Sequence, residues 1–166
     1  MKPRRRTLGL TLLEVALGLA VLAILAALAL PDIGRRIERA RLHNAAQALA
    51  ADVAEARFEA VRRGQSLFVQ ARPGADWCWA VASSTGCDCG GAQACQVHVV
   101  NGASYRGVRL VEGLRLRMEP SGAAEAVSQA AVLETSRGEQ LRVEVSPLGR
   151  ARVCTRAGTW PSVPAC

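Results

Sequence analysis

The stretch RRRTLGLTLLEVALGLAVLAILAALALP, residues 4–31, decides how this chain folds. From residue 10 to residue 30 it contains only two polar side chains, Thr11 and Glu14. An apolar run of about 20 residues is long enough to cross the hydrocarbon core of a bilayer as a helix. The basic residues ahead of the run favour a cytoplasmic N-terminus. The sequence therefore predicts one membrane-spanning helix over residues 10–31, with the remaining chain outside the cytoplasm.

Glu14 is the unusual residue of this run. On insertion scales a charged group at the centre of a membrane helix costs about 2.5–3.5 kcal/mol, and carboxylates in such helices generally have a partner and a function. The alternative interpretation is a plain signal anchor that carries the glutamate by chance. We favour a specific pairing of this carboxylate with a positive group.

Gly9 followed by LTLLE, between a basic leader and an apolar helix, resembles the class III leader of type IV pilins and type II secretion pseudopilins. The resemblance implies that a prepilin peptidase cleaves after Gly9 and methylates Leu10, where the family usually has Phe. It also implies that Glu14 pairs with the terminal amine of a neighbouring subunit in a filament, which makes a buried carboxylate tolerable. An ordinary signal peptide has neither this glycine nor this glutamate.

Length and composition leave room for one domain beyond the apolar run. The chain has 166 residues and a formal charge of +7, and four of its basic residues precede Gly9. The residues that follow the run, about 130, are enough for one domain with a core but not for two. Six cysteines in an exported domain predict disulfide bonds, because exported thiols meet an oxidising compartment.

An amphipathic helix is predicted beyond Pro31, which should kink the helix or end its membrane part. Charged residues alternate with an apolar stripe as far as Gly64, a natural helix stop. The sequence thus predicts one helix of about fifty residues. We expect its stripe to be buried in the core: Ile37, Leu42, Ala46, Leu49, Val53, Ala56 and Ala60.

After Gly64 the apolar period changes to two, which predicts β-strands. The segment SRGE, residues 136–139, predicts a hairpin turn. The predicted strands are residues 65–72, 77–82, 96–100, 107–111, 114–118, 130–135, 140–145 and 151–155.

The predicted fold is α+β and pilin-like, with the long helix packed on an antiparallel sheet or on a small two-sheet domain. The predicted divisions are a leader, a transmembrane segment, an amphipathic helix and a β-rich domain with disulfides, at residues 1–9, 10–31, 32–64 and 65–166.

The segment GRAR, residues 149–152, is the second informative stretch. Residues two apart in a strand point to one face, roughly 6.6 Å apart, so Arg150 and Arg152 would form a fork for phosphate oxygens with salt-dependent affinity. Arg142 and Arg156 lie nearby in sequence. A solvated strand face is the alternative interpretation. Few aromatic residues lie near the motif for base stacking, which favours binding to the duplex backbone.

Layout and motif together resemble the minor pilins of the FimT and FimU type and the pseudopilin GspH. The GRxR pattern resembles the DNA-binding element of FimT-type pilins in natural transformation, which implies that Gly149, Arg150 and Arg152 bind extracellular DNA. The alternative is a structural pseudopilin that primes a type II secretion or type IV pilus filament. The resemblance implies as partners other pilin subunits, prepilin peptidase, DNA and, before assembly, the bacterial inner membrane. After assembly it implies a place in the pilus, in the periplasm and at the cell surface.

The cysteines fall into two groups. A bridge between Cys154 and Cys166 would tie down the C-terminal tail, and it resembles the C-terminal disulfide loop of many pilins. Three pairings stay open for the other four, which are Cys78, Cys87, Cys89 and Cys95.

Zinc is the alternative for part of this cysteine-rich segment. Cys87, Cys89, Cys95 and His98 form the pattern C-x-C-x5-C-x2-H. Zinc sites prefer wider first spacings, so disulfides are the favoured interpretation.

Catalytic motifs are missing from the sequence. The two histidines, His43 and His98, stand outside any nucleophile motif, and the sequence contains no phosphate-binding loop, HExxH or dinucleotide fingerprint. We therefore expect a protein that is not an enzyme and that needs no metal or cofactor.

Overall fold

A computed structural model describes residues 11–128, 130–156, 160 and 162–166, without the side chains of residues 28–32 and 126–128. Its elements are one long helix, nine strands and a short 3-10 helix at Gly102–Ser104. In chain order they are α1 Leu12–Arg63, β1 Leu67–Arg72, β2 Cys78–Ala82, β3 Gln96–Asn101, β4 Val108–Glu112, β5 Leu114–Met118, β6 Ala124–Ser128, β7 Ala130–Thr135, β8 Gln140–Val145 and β9 Ala151–Cys154.

The chain divides into two compact units, with the boundary between Ile37 and Glu38. Within the described residues, no helical stretch combines the length and hydropathy that a membrane crossing needs. Leu10 and the side chains of residues 28–32 lie outside the description. The span predicted for residues 10–31 stays a prediction.

The long helix predicted from the sequence is confirmed. It contains 52 residues and runs through Pro31. It ends where Gly64 adopts a φ of +65°, and the Gln65 N–H donates to the Ala60 carbonyl at 3.2 Å. This is a common way to satisfy the last carbonyls of a helix, with glycine in the left-handed conformation.

The β-rich part forms two antiparallel sheets. The five-stranded sheet A has the order β3-β2-β1-β5-β6, and the four-stranded sheet B has the order β4-β7-β8-β9. The α+β class with two sheets agrees with the prediction. The chain passes from sheet B to sheet A between β4 and β5, and it returns between β6 and β7.

The core of the second unit lies between α1 and the two sheets. Six of the seven predicted stripe residues are buried, whereas Ile37 is 45% exposed. The prediction was wrong for Ile37 because this residue lies in the first unit, whose described residues contain only the N-terminal part of α1 and no strand to cover it. The sheets add alternating apolar residues such as Leu114, Leu116 and Met118, whose neighbours Arg115 and Arg117 are exposed.

Candidate functional site

The GRAR segment begins in the turn between β8 and β9. Gly149 has a φ of +70°, which glycine adopts without strain. Its N–H donates to the Ser146 carbonyl at 2.9 Å, and the Ser146 N–H donates to the Arg150 carbonyl at 2.9 Å. These two bonds close a tight hairpin, and Gly149 lets the chain turn into β9.

Gly149 is also a close-packing position. A Cβ at this residue would lie 2.5 Å from the Gly122 carbonyl oxygen, 2.9 Å from Met118 Sδ and 3.0 Å from Arg57 Cδ. Arg57 Nε donates to the same Gly122 carbonyl at 2.9 Å. The glycine is buried and holds the turn against α1 and the β5–β6 connection. Its burial and close contacts give it a packing role in this hairpin.

Arg152 and Arg142 share a carboxylate. The register of the hairpin places Arg152 opposite Glu144, and Arg152 donates to Oε2 from Nε at 3.2 Å and from Nη2 at 2.8 Å. Arg142 Nε lies 3.1 Å from Oε1, an ion-pair contact whose angle does not suit a hydrogen bond. The hydrogen bond from Arg152 lowers the pKa of Glu144, and the charges of both arginines add to this. Glu144 therefore offsets part of the positive charge of the predicted motif.

Arg150 and Arg156 keep exposed side chains. Within the described residues, neither guanidinium makes an ion pair or a hydrogen bond. Arg150, Arg142 and Arg152 line one open groove of about 720 Å³. Arg156 lines a separate cavity of about 70 Å³ on the other side of Arg142. The structure thus brings three of the four predicted arginines to one groove and places Arg156 apart from it.

The groove combines a basic rim with small and apolar residues. Ser146 and Glu144 are its other polar lining residues, and the rest of its lining is Ala130, Val145, Pro147, Leu148 and Ala151. The Ser146 hydroxyl already accepts a hydrogen bond from the Arg150 N–H at 3.3 Å. Such a groove can bind an anionic group at Arg150 while the ion pair between Arg152 and Glu144 stays in place.

Each histidine takes part in a contact between α1 and another part of the chain. His98 Nε2 lies 3.6 Å from Asp52 Oδ2, the oxygen that also accepts a hydrogen bond from Trp79 Nε1 at 2.5 Å. The His43 ring stacks on Trp160 with 6.4 Å between the ring centres. His43 therefore has a packing role, whereas His98 is an exposed residue beside Asp52.

Trp160, the aromatic residue nearest the motif in sequence, fixes the C-terminal tail to α1. It is 9% exposed, and the Arg39 guanidinium lies 5.4 Å from the centre of its ring. Arg39 Nε also donates to both Glu139 oxygens, at 2.8 and 3.0 Å. Because its ring is covered by Arg39 and His43, Trp160 offers no free face for a nucleic-acid base.

All six cysteines form disulfides, as the sequence predicted. The Cα–Cα distances lie between 4.9 and 6.0 Å, within the usual range. The alternative zinc site is wrong, because its three thiols are bonded to other cysteines. The pairs are Cys78–Cys89, Cys87–Cys95 and Cys154–Cys166.

The predicted processing site, Gly9 and Leu10, lies outside the described residues. Glu14 is described, in the first turn of α1, with an exposed side chain. Its N–H donates to Thr11 Oγ1 at 3.2 Å, which caps the start of the helix.

Sequence reasoning missed two contacts that shape this region. The pairing of Glu144 with the arginines was not predicted, although the alternation of Arg142, Val143 and Glu144 places acid and arginine on one strand face. The contact between Arg39 and Trp160 has no sequence signal, because 120 intervening residues separate the two side chains.

A protein-family model described as type II transport protein GspH matches residues 45–149 of the chain, more than half of its length. The matched segment starts within α1 and ends at the glycine of the β8–β9 turn, so the arginines of the GRAR segment lie beyond it. No curated protein and no solved structure gives a significant match.

Proposed function

Because the chain belongs to the family of type II transport protein GspH, it is a minor pseudopilin or pilin, and we propose that it serves as a structural subunit of a type II secretion or type IV pilus filament. The family match, which covers strands β1 to β8 and the C-terminal part of α1, carries this proposal. Its partners are then other pilin-like subunits. The role is one of assembly and not of catalysis.

The exposed apolar surface of α1 supports a role in assembly. Leu12 is 90% exposed, Leu17 is 69% exposed and Leu22 is 64% exposed. Large apolar surfaces of this kind are normally covered by a membrane or by a protein partner. We propose that lipid of the inner membrane covers this segment before assembly and that helices of neighbouring subunits cover it in the filament.

The leader and Glu14 complete the proposal, and their support comes from the sequence. A prepilin peptidase would cleave after Gly9 and methylate Leu10. The carboxylate of Glu14 would then pair with the N-terminal amine of a neighbouring subunit, which offsets the cost of placing either charge among apolar helices. Mass spectrometry of the purified mature chain tests the cleavage, because an N-terminus at Met1 would contradict it.

The decisive experiment measures incorporation of Glu14→Ala into sheared filaments, with Glu55→Ala as the matched control. Glu55 is an exposed acid on the same helix, within the second unit. Removing one partner of a buried ion pair is strongly destabilising, so incorporation of Glu14→Ala should fall at least about tenfold. The control should assemble like the wild type. Equal incorporation of Glu14→Ala and wild type would refute the proposed role of this helix.

DNA binding in natural transformation is the second candidate function. The observation that favours it is the exposed, unpaired guanidinium of Arg150 on the same groove as Arg152. The pairing of Arg152 with Glu144 weighs against it, because a carboxylate beside the motif repels phosphate.

A gel shift across a salt series tests this second function. The double variant Arg150→Gln and Arg152→Gln should lose affinity, and the slope of log affinity against log salt should fall by about 2 if both side chains contact phosphate. Arg115→Gln, which removes one exposed arginine from sheet A, is the control. Unchanged binding by the double variant would show that Arg150 and Arg152 do not contribute to DNA binding.

A further inference from the structure

The edge strands of the two sheets differ in how they are protected. In β3, β4 and β6, two residues oppose one residue of the neighbouring strand, so each contains a β-bulge. The extra residues are Val97 in β3, Val111 in β4 and Val127 in β6. Bulges twist an edge and hinder pairing with a strand from another molecule. These three edges are therefore protected against strand addition.

The fourth edge strand, β9, contains no such bulge. Its register with β8 is unbroken over the four residues of the strand. Hydrogen-bonded and non-hydrogen-bonded pairs alternate in an antiparallel ladder. Because Ser146 and Arg150 form a hydrogen-bonded pair, the N–H and C=O groups of Ala151 and Val153 point away from β8. Within the described residues, no hydrogen bond reaches these four backbone groups.

The C-terminal tail covers the end of this edge at Thr155. The Thr155 N–H donates to the Pro164 carbonyl at 2.9 Å, and the Cys166 N–H donates to the Thr155 carbonyl at 3.2 Å. The tail thus pairs with Thr155 in parallel. The next donor along a parallel ladder, toward the Val153 carbonyl, would be the N–H of residue 164, which proline lacks. Pro164 therefore leaves the Val153 carbonyl without a donor from the tail.

The positive charge beside the β9 edge favours an added strand with acidic side chains. Arg150 and Arg152 are two residues apart and line the same groove, and Arg150 has no partner within the described residues. The lining of this groove contains three arginines and one carboxylate, Glu144. Arg152 pairs with Glu144, and Arg142 pairs with Glu144 and with Glu112 outside the groove, so Arg150 carries the uncompensated charge. An added strand with acidic side chains at alternate positions would therefore meet complementary charge.

We propose that the open edge of β9 binds an extended acidic segment of a neighbouring filament subunit, which adds a fifth strand to sheet B. This inference rests on the proposed role as a filament subunit and names a second contact surface, separate from α1. Unpaired N–H and C=O groups at a strand edge are satisfied by another polypeptide backbone. Duplex DNA presents no such ladder, so a peptide is the better occupant.

The probe for this surface is an amidated six-residue peptide that alternates glutamate and valine and carries an uncharged fluorophore at its N-terminus. It is titrated against the full-length chain in zwitterionic detergent, and binding is followed by fluorescence anisotropy. At saturation we expect amide hydrogen exchange at Ala151 and Val153 to slow at least about tenfold, because these N–H groups join a ladder. A peptide that alternates lysine and valine should bind at least about tenfold more weakly.

Proline variants test the backbone contact. Ala151→Pro removes an outward N–H without removing a hydrogen bond to β8, a position where strands tolerate proline, and it should weaken binding of the acidic peptide at least about tenfold. Val99→Pro is the matched control, because the Val99 N–H also points outward, from the bulged edge of sheet A. The Val99→Pro variant should bind the acidic peptide with the same affinity as the wild type.

A charge-reversal variant gives a second test, which does not depend on whether the proline variant folds. Arg150→Glu should weaken binding of the acidic peptide and strengthen binding of the basic one. The proposal would be overturned if binding of the acidic peptide left the rate of amide hydrogen exchange at Ala151 and Val153 unchanged. It would also be overturned by binding of a duplex oligonucleotide, with no binding of the peptide. Because these assays use the purified chain, such results leave the filament proposal, tested through Glu14, intact.

Discussion

Replacing Gly149 by alanine probes whether the glycine of the GRAR segment serves the fold or a ligand. The residue has a φ of +70°, and a Cβ would meet the Gly122 carbonyl oxygen at 2.5 Å and Met118 Sδ at 2.9 Å. Real Cβ atoms do not approach a carbonyl this closely, so the turn would have to move. We expect Gly149→Ala to destabilise the second unit.

The magnitude has two sources. The left-handed conformation costs an L-residue roughly 1–2 kcal/mol, and overpacking at a close contact costs roughly 1–3 kcal/mol. Together they predict a loss of about 2–5 kcal/mol in the free energy of unfolding. Gly138→Ala is the matched control, because Gly138 has a φ of +82° in the neighbouring hairpin but nothing within 4 Å of a Cβ. The control should lose roughly 1–2 kcal/mol.

The measurement is urea unfolding of the full-length protein in detergent, followed by tryptophan fluorescence. The wild type and both variants should give the same slope against urea, since the surface exposed on unfolding does not change. The reasoning would be refuted if Gly149→Ala lost no more stability than Gly138→Ala. In that case the close contact with Gly122 would have no energetic weight.

Two further predictions concern the C-terminal tail and the shared carboxylate. Replacing Cys154 and Cys166 by serine opens a disulfide with a sequence separation of 12. The free energy of unfolding should fall by about 3 kcal/mol in the chain-entropy model. The fluorescence of Trp160 should also shift to the red, and an unshifted spectrum would contradict this prediction. Arg152→Gln removes the hydrogen bond that lowers the pKa of Glu144. A carboxyl group with a lowered folded pKa stabilises the fold above its unfolded pKa of about 4.3, and this contribution disappears as the pH falls through the folded pKa. The stability gap between wild type and Arg152→Gln should therefore be present at pH 7 and shrink as the pH falls below about 4.3; a gap independent of pH would contradict the assignment.

The elements that depend on near neighbours in sequence could be predicted. The helix and its stop at Gly64 follow from a periodic stripe and one glycine. The bounds of β5 and β8 agree with the alternation of apolar and polar residues, which acts over a few positions. The bounds of β7 were also predicted, from a short apolar run that is buried along most of its length. β6 was missed, because AEAVS is rich in alanine and glutamate, which disfavour strands in isolation, and pairing with β5 overrides that preference.

The candidate groove was predicted in part. Arg150 and Arg152 were expected to share one face, and both line the groove. The expectation omitted the pairing of Arg152 with Glu144, which is a cross-strand contact set by the register of β8 and β9. Register depends on the length of the turn, and here a buried glycine holds that turn against a distant part of the chain.

Local patterns along the chain specify the long helix, the alternating strands and the need for disulfides, because helix and strand periodicity and cysteine chemistry act through residues close in sequence. The division of nine strands into two sheets, the partners of Cys78 and Cys87, and the unprotected edge of β9 arise from contacts between distant segments. Many arrangements of the same strands bury similar apolar area, and close packing in three dimensions selects one of them.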